Sequence, residues 1–229
     1  MRIVLGSIIA VLLLIIGAGA YLYTQNYMSV KNSQKFTPIE VDEEGFAKKT
    51  LSTAEIQTIH DTDTPMTIAG DENSPLKVIV FYDYNCPYCV IEEATMHEAL
   101  SGRNDVRVVL RPVPFLGEDS YMMAAMAMAA AKIGIFPEFH KVIFNARGKM
   151  TQNKAAALLE EAGLPVGQIL VAAQDPTIRS AVQENQQLAI DVGAHYVPSF
   201  VIGDRLYMPL DRDTTAEEFS DMFDQELMR

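Results

Sequence analysis

Cysteine is nearly absent from this chain. Its 229 residues include only Cys86 and Cys89, and tryptophan does not occur. A second Cys-x-x-Cys pair and a His-x(3–5)-His pair are both missing, so nothing completes the four ligands of a structural zinc site. A structural disulfide between the two cysteines would stabilise the fold little, because so short a loop removes little entropy from the unfolded chain. Reversible dithiol chemistry and two ordinary buried cysteines remain as interpretations.

Basic side chains are scarce as well. Lysine and arginine number 18 against 30 acidic residues, which gives a net charge of −12. Nucleic-acid binding needs a basic surface, so we predict no nucleic-acid partner. Glycine-rich phosphate loops and Ser/His/Asp arrangements are also missing from the sequence. We therefore predict no cofactor and no metal ion.

Charged side chains are missing from residues 3–23, which are mostly aliphatic. A helix over this stretch spans about 30 Å, the hydrocarbon thickness of a bilayer. Arg2 precedes it and favours a cytoplasmic amino terminus, which places the rest of the chain on the far side. The competing interpretation is a signal peptide cleaved after Ala20, although the apolar run continues beyond that point. We predict a single-pass inner-membrane anchor over residues 1–23, a tether over 24–52, and a domain that faces the periplasm.

The cysteines lie between a strand and a helix. Residues 77–82 form a β-branched and aromatic run that is typical of a buried strand, and residues 90–100 are helical in pattern. Cys86 would then stand at the helix amino terminus, where unpaired N–H groups lower the pKa of a thiol below its usual value of about 8.5. Pro87 suits the first helical position. Cys89, one turn later on the inner face, could attack a mixed disulfide at Cys86.

The flanking segments predict an α/β domain over residues 53–229. Strand, helix and strand in succession give a right-handed βαβ unit with its chemistry at the carboxyl end of the first strand. A helical insertion at about 118–193 would cover the sheet. The other predicted elements are a helix over 53–62, strands over 64–69, 106–111, 199–202 and 206–210, insertion helices over 121–133, 136–145, 151–162, 166–173 and 176–192, and a last helix capped by Thr214 or Thr215 with Glu217 or Glu218.

Val197-Pro198 stands just before the final hairpin and completes a known arrangement. Cys-x-x-Cys after one strand and a proline facing it from another resemble the thioredoxin fold. The insertion makes residues 64–229 similar to the DsbA-like exported thiol:disulfide oxidoreductases of the thioredoxin superfamily. Residues 81–89, 116–120 and 197–204 carry this resemblance. The implied fold is a thioredoxin fold with a helical insertion, preceded by an N-terminal transmembrane helix.

The resemblance also implies roles for individual residues. Cys86 would be the nucleophile and Cys89 the resolving thiol. Val197 and a cis-Pro198 would receive the extended backbone of the partner by strand addition. The implied partners are exported proteins with thiols or disulfides, together with a membrane redox partner that resets the dithiol.

Two residues depart from the pattern of the strongly oxidising relatives. Pro87 and Tyr88 are the redox-tuning residues between the cysteines, and Tyr88 replaces a histidine that could carry positive charge. Val80 stands where several relatives bury an acid. In those relatives the acid handles the proton of Cys89. The weaker stabilisation of the Cys86 thiolate beside Tyr88 predicts a weaker oxidant, because a stable reduced form is what drives oxidation of the partner. Oxidation is our prediction, with reduction or isomerisation, or non-catalytic binding of a soft metal or a partner through the thiols, as alternatives.

Two other clusters have ordinary interpretations. Paired acids such as Glu92 and Glu93 are expected on a helix surface. Methionines in the first insertion helix could bind Cu(I), but they more often fill a core or line a groove. These are Met122, Met123, Met126 and Met128.

Overall fold

The computed structural model describes residues 46–61, 66–146, 148–209 and 213–229. Within these residues the strands form one mixed sheet in the order β1-β6-β5-β3-β4-β2, in which β3 and β4 are parallel and the other neighbours are antiparallel. The strands are β1 Phe46–Thr50, β2 Thr67–Ala69, β3 Leu76–Tyr82, β4 Val106–Pro112, β5 Ser199–Ile202 and β6 Arg205–Pro209.

The helices agree with the predicted pattern. The helix α2 joins the parallel strands β3 and β4, and the run from α3 to α7 lies between β4 and β5, which confirms the helical insertion. The helices are α1 Thr53–Asp61, α2 Pro87–Ala99, α3 Glu118–Lys132, α4 Phe136–Phe144, α5 Gln152–Glu161, α6 Val166–Ala173, α7 Pro176–Val192 and α8 Ala216–Leu227. The predicted capping box is also confirmed, at Thr215 and Glu218.

The predicted carboxyl-terminal boundary of the tether, at residue 52, is wrong. Strand β1 lies inside the segment 24–52 and pairs with β6, with Phe46 opposite Pro209 and Thr50 opposite Arg205. The polar composition of this stretch hides the strand, because an edge strand is held by main-chain hydrogen bonds and tolerates lysine. Lys49 also joins the domain by side-chain hydrogen bonds to Glu55 Oε1 and to the Val192 carbonyl.

The predicted anchor over residues 1–23 lies outside the described residues, as does the tether before residue 46. In the part of the chain that the structure describes, no helix has both the length and the apolar character needed to cross a bilayer.

The central strand β3 is buried along nearly its whole length, as its apolar run predicts. Its alternate residues Val78, Val80 and Tyr82 face the main apolar core, which also contains residues of α2, of the insertion and of α8. The methionines of α3 contribute to this core, which confirms their interpretation as core residues for Met123, Met126 and Met128. This burial fixes the position of the carboxyl end of β3. The segment that carries the two cysteines follows directly after it.

Candidate active site

The cysteines occupy the first turn of α2, directly after β3. Cys86 is the N-cap residue, with extended dihedral angles of −88° and 115°, and Pro87 takes the first helical position as predicted. The turn is closed by a hydrogen bond from Cys86 N–H to the Asp83 carbonyl at 2.9 Å and another from Cys89 N–H to the Cys86 carbonyl at 3.2 Å. Both sulfurs are free thiols.

The Cys86 sulfur is poised to ionise. A hydrogen bond from the Cys89 thiol is the largest cause that lowers the pKa of Cys86, and the backbone N–H groups of Cys89 and Tyr88 lower it further. Burial and the charge of Asp83 act in the opposite direction, and the resulting pKa is about 7. The sequence predicted a lowered pKa from the helix amino terminus, and the structure adds the second thiol as the main donor.

The environment of the Cys89 sulfur disfavours ionisation, in contrast to that of Cys86. Its side chain is fully buried, with 0% exposure. Burial, the hydrogen bond with Cys86 and the charges of Cys86 and Asp83 together raise the pKa of Cys89 well above that of an ordinary thiol. At neutral pH, Cys89 therefore keeps its proton while Cys86 is partly a thiolate.

A loop from the far end of the chain lies over Cys86. The Val197–Pro198 peptide bond is cis, as predicted. Ser199, the next residue, pairs with Phe81 at the end of β3. This pairing brings the Val197 carbonyl to 3.3 Å from the Cys86 sulfur. The two halves of the predicted site, 111 residues apart in sequence, are thus in contact.

Two polar residues hold the loop before Cys86, and no local sequence pattern predicts a role for either of them. Asp83 is buried, and its two carboxylate oxygens accept hydrogen bonds from Asn85 N–H at 2.8 Å and Leu116 N–H at 3.0 Å. The amide of Asn85 makes a reciprocal pair of hydrogen bonds with the main chain of Met150. The alternation of polar and aromatic residues before Cys86 gave no signal of either partner.

The prediction that Glu92 and Glu93 lie on a helix surface is wrong. Both carboxylates are buried, at 1% and 2% exposure, because α2 packs against α8 and meets α4 at His140. Glu92 Oε1 accepts the Thr214 N–H at 2.7 Å. Glu93 Oε1 pairs with His140 Nε2, and the Nδ1 of the same ring is 3.0 Å from the hydroxyl of Tyr84.

A cavity of about 530 Å³ opens beside Cys86. Its walls come from the loop before Cys86, from α2, and from the end of α4 with the segment that follows it. The lining is mostly apolar and includes Tyr82, Tyr84, Pro87, Val90, Ile91, Leu116, Ile143, Phe144 and Met150. Large apolar side chains that are exposed near the dithiol are Tyr88, Ile91, Leu116 and Tyr196.

No cluster of three or more His, Cys, Asp or Glu side chains is arranged to hold a metal ion within the described ranges. Val80, the position of the missing acid, is buried in the apolar core at 2% exposure. The acid whose charge acts on both cysteines is instead Asp83 on the loop.

Solved structures of known proteins share this fold. A thioredoxin-like oxidoreductase from Silicibacter pomeroyi DSS-3 is 26% identical with a TM-score of 0.67, over 78% of this chain and 99% of that chain. The catalytic domain of Proteus mirabilis ScsC is 20% identical with a TM-score of 0.66, over 77% of this chain and 96% of that one. These likenesses confirm the predicted thioredoxin-like fold.

Among curated proteins, the chain resembles the Na(+)/H(+) antiporter NhaA 3 of Salinispora tropica, with 35% identity over 78 residues. The match covers 33% of this chain and only 12% of the antiporter. A family model matches a much larger part of the chain. The model is described as a DSBA-like thioredoxin domain, and it matches residues 77–219. The chain therefore belongs to the DSBA-like thioredoxin domain family.

Proposed function

We propose that this protein exchanges disulfides with exported proteins through Cys86 and Cys89, and that it acts as an oxidant. The observation that carries the proposal is the contrast in the dithiol, in which Cys86 has a pKa of about 7 and Cys89 is fully buried. Cys86 is the exposed-side sulfur that meets the partner. In the oxidising direction a partner thiolate attacks the Cys86 sulfur of the Cys86–Cys89 disulfide, and Cys89 leaves. A second partner thiolate then breaks the mixed disulfide and releases Cys86 as a stabilised thiolate, which leaves the partner oxidised and the dithiol reduced.

The surface around Cys86 fits an extended peptide. The Val197 carbonyl faces the sulfur, and main-chain hydrogen bonds to such an edge supply affinity that does not depend on the sequence of the partner. The adjacent cavity and the exposed Tyr88, Ile91 and Leu116 supply apolar surface. We infer that partners present a cysteine next to apolar side chains, as segments of incompletely folded proteins do.

The reverse direction, reduction or isomerisation, has one observation in its favour. A pKa of about 7 for Cys86 is close to that of reducing thioredoxins and far above the value of about 3.5 in the strongest dithiol oxidants. Tyr88, which is 61% exposed, carries no positive charge to stabilise the thiolate. A weakly stabilised reduced form makes a weaker oxidant.

The equilibrium reduction potential distinguishes these directions. The full-length chain is equilibrated with glutathione buffers and its thiols are trapped by acid and alkylation. A potential between about −120 and −180 mV supports donation of disulfides, whereas about −230 mV or lower overturns the oxidant role in favour of the reductase. A Cys86→Ser variant cannot form the intramolecular disulfide and should show no redox transition. It is the control that assigns the measured transition to Cys86 and Cys89.

We also propose that an N-terminal anchor holds the domain on the periplasmic side of the inner membrane. The uncharged residues 3–23 after Arg2 support this proposal. Carbonate extraction of membranes and protease digestion of spheroplasts test it. A protein that stays in the membrane pellet and is digested in intact spheroplasts fits the proposal. A protein released by carbonate, or protected until lysis, contradicts it.

A further inference from the structure

The loop that covers Cys86 begins at the carboxyl end of α7. Residues 194–197 connect Gly193, which ends this helix, to Pro198. Within the loop, the Val197 carbonyl lies 3.3 Å from the Cys86 sulfur, beside the place where the backbone of a partner would pair. The position of this carbonyl therefore depends on what holds the two ends of the loop.

The sheet fixes the end of the loop that follows Pro198. Ser199 is fully buried and pairs with Phe81 at the end of β3. Its hydroxyl donates a hydrogen bond back to the Tyr196 carbonyl at 2.5 Å. This end cannot shift unless the sheet opens, so any movement of the loop has to come from the end that joins α7.

A lysine of β1 holds the end that joins α7. Lys49 Nζ donates a hydrogen bond to the carbonyl of Val192, the last residue of α7, at 2.9 Å. The last carbonyls of a helix have no partner within it, and a cation is favourable there because the helix dipole is negative at this end. The Lys49 side chain also lies against Gly193, since a β-carbon placed on Gly193 would be 3.5 Å from Lys49 Cδ. Lys49 therefore supports both the helix end and the first residue after it.

Lys49 is itself fixed from two directions. Its main chain pairs with Leu206 of β6. Its ammonium group lies 2.7 Å from Glu55 Oε1, and Glu55 Oε2 accepts hydrogen bonds from the main-chain N–H and the hydroxyl of Ser52, just before α1. Burial raises the pKa of Glu55, but hydrogen bonds from Lys49 and Ser52 lower it to about 2. Glu55 is therefore a carboxylate at neutral pH and keeps the Lys49 ammonium group in place.

Stability alone does not explain the position of Lys49. The side chains of Lys49 and Glu55 are 42% and 27% exposed, and an ion pair in contact with water contributes little to stability. The hydrogen bond to Val192 instead fixes a position, because the ammonium group and the carbonyl oxygen must stay within reach of each other. It joins residues that are 143 positions apart, and it ties β1 to the last helix of the insertion.

We propose that Lys49 is a positioning residue for the partner, because it holds the end of α7 and thereby keeps the Val197 carbonyl where the backbone of the partner pairs. The inference rests on the proposed exchange reaction and deepens it. The main causes of the lowered pKa of Cys86 lie in Cys89 and the first turn of α2. Loss of Lys49 should therefore weaken the reaction with a peptide and leave the dithiol itself unchanged.

The test compares a thiol that has a peptide backbone with one that lacks it. Oxidised full-length protein is mixed either with a short peptide that contains one cysteine or with 2-mercaptoethanol. In both reactions a thiolate attacks the Cys86 sulfur and Cys89 leaves, and a second thiolate then releases Cys86. Acid quenching, followed by maleimide labelling in denaturant, measures the appearance of protein thiols and gives a second-order rate constant for each reagent.

The variants separate the charge of Lys49 from its place on the strand. Lys49→Met removes the ammonium group and keeps most of the length of the side chain, whereas Lys49→Arg keeps a positively charged donor. The matched control is Lys48→Met on the same strand, because the Lys48 ammonium group lies over the Tyr207 ring at 5.9 Å and not at the end of α7.

We expect Lys49→Met to lower the rate constant for the peptide about tenfold, because a small misplacement of a binding group can cost that much or more. The rate constant for 2-mercaptoethanol should not change, and the pKa of Cys86 should stay at about 7. Lys49→Arg should restore most of the rate with the peptide, and Lys48→Met should match the wild type with both thiols. A general loosening of the fold would not separate the two thiols.

Three outcomes contradict the proposals in different ways. A Lys49→Met protein that reacts with the peptide as fast as the wild type overturns the positioning role and leaves the exchange function intact. Equal slowing with both thiols also overturns that role, because the change then lies in the dithiol. A wild-type disulfide that neither thiol reduces overturns the exchange function itself. If Lys49→Met fails to fold, Lys49→Thr decides, since threonine suits a strand and is too short to reach the Val192 carbonyl.

Discussion

Cys86 and Cys89 are three residues apart and meet opposite environments. Cys86 caps α2 at the mouth of a cavity and faces the Val197 carbonyl, with a pKa of about 7. Cys89, one turn further, is completely buried and lies within reach of the Asp83 charge, with a raised pKa. A single helical turn therefore separates a thiol that meets partners from one that is hidden from them.

The difference teaches how one short motif performs two steps in a fixed order. Each thiol influences the other, because the Cys89 thiol donates to Cys86 and thereby stabilises the thiolate that must react first. The same contact raises the pKa of Cys89 and delays its ionisation until Cys86 is engaged. The first turn of the helix thus provides the order as well as the sulfur atoms.

The largest expected effect comes from removing the buried thiol. We predict that Cys89→Ser abolishes multiple turnover and accumulates a mixed disulfide at Cys86, because nothing displaces the partner. Non-reducing electrophoresis with a disulfide-containing peptide, whose disulfide the Cys86 thiolate attacks with release of one peptide thiolate, followed by peptide mapping, shows the adduct. Cys86→Ser is the matched variant and should form no adduct. An adduct at Cys89 in that variant would contradict the conclusion that Cys89 is hidden from partners.

The next effect is on chemical reactivity. We predict that carbamidomethylation of Cys86 by iodoacetamide is half-maximal at about pH 7 and rises about 90-fold from pH 5 to pH 8, in proportion to its thiolate fraction. Cys89 should react only after unfolding, because it is buried and keeps its proton. Mass spectrometry of the two labelled positions measures this. Equal labelling of both cysteines in native protein would contradict the contrast.

A smaller effect should follow from loosening the loop that presents Cys86. Asn85→Ala removes two hydrogen bonds to the Met150 main chain, so we expect a loss of about 1–3 kcal/mol in the free energy of unfolding. The pKa of Cys86 should stay near 7, since its causes lie in Cys89 and the helix backbone. Urea denaturation and iodoacetamide titration measure the two quantities.

Asn153→Ala is the control for Asn85→Ala, because Asn153 is exposed on the neighbouring helix α5. Its free energy of unfolding should match that of the wild type. A Cys86 pKa that moves in Asn85→Ala would show that the loop, and not the helix turn, sets the reactivity of the sulfur.

The smallest expected effect is a pH dependence of stability in the reduced protein. The folded pKa of Cys86 is about 7, below the usual thiol value of about 8.5, so between these values the folded state binds fewer protons than the unfolded state. The free energy of unfolding should therefore rise from pH 7 to pH 9, by roughly 1 kcal/mol after solvent screening. This contribution is complete above pH 9 and is lost as the pH falls through 7.

Cys89 has the opposite sign, because its raised pKa lowers stability above the ordinary thiol value. The free energy of unfolding is measured in urea for the reduced wild type and for Cys86→Ser at each pH. The difference between the two isolates the contribution of Cys86. A difference between the two proteins that stays constant from pH 7 to pH 9 would contradict the lowered pKa.

Local patterns predicted most of the fold. The continuous apolar run of β3 marks a strand buried on both faces, and Pro87 after Cys86 marks a helix start. The capping residues Thr215 and Glu218 also lie three positions apart, so their signal is complete within one turn. Strand β1 was missed, because its lysines are compatible with a tether and only β6, far along the chain, selects the extended conformation.

The candidate site also combines features that the local sequence determines with features that only tertiary packing determines. The sequence by itself determined the two cysteines, their order on the helix and the lowered pKa of the first, because a helix amino terminus is a local property. Only the tertiary structure decided that Val197 meets the Cys86 sulfur and that Glu93 is buried with His140. The inner face of a helix depends on the elements that pack against it, and for α2 those include the insertion helix α4 and α8, both distant in the chain.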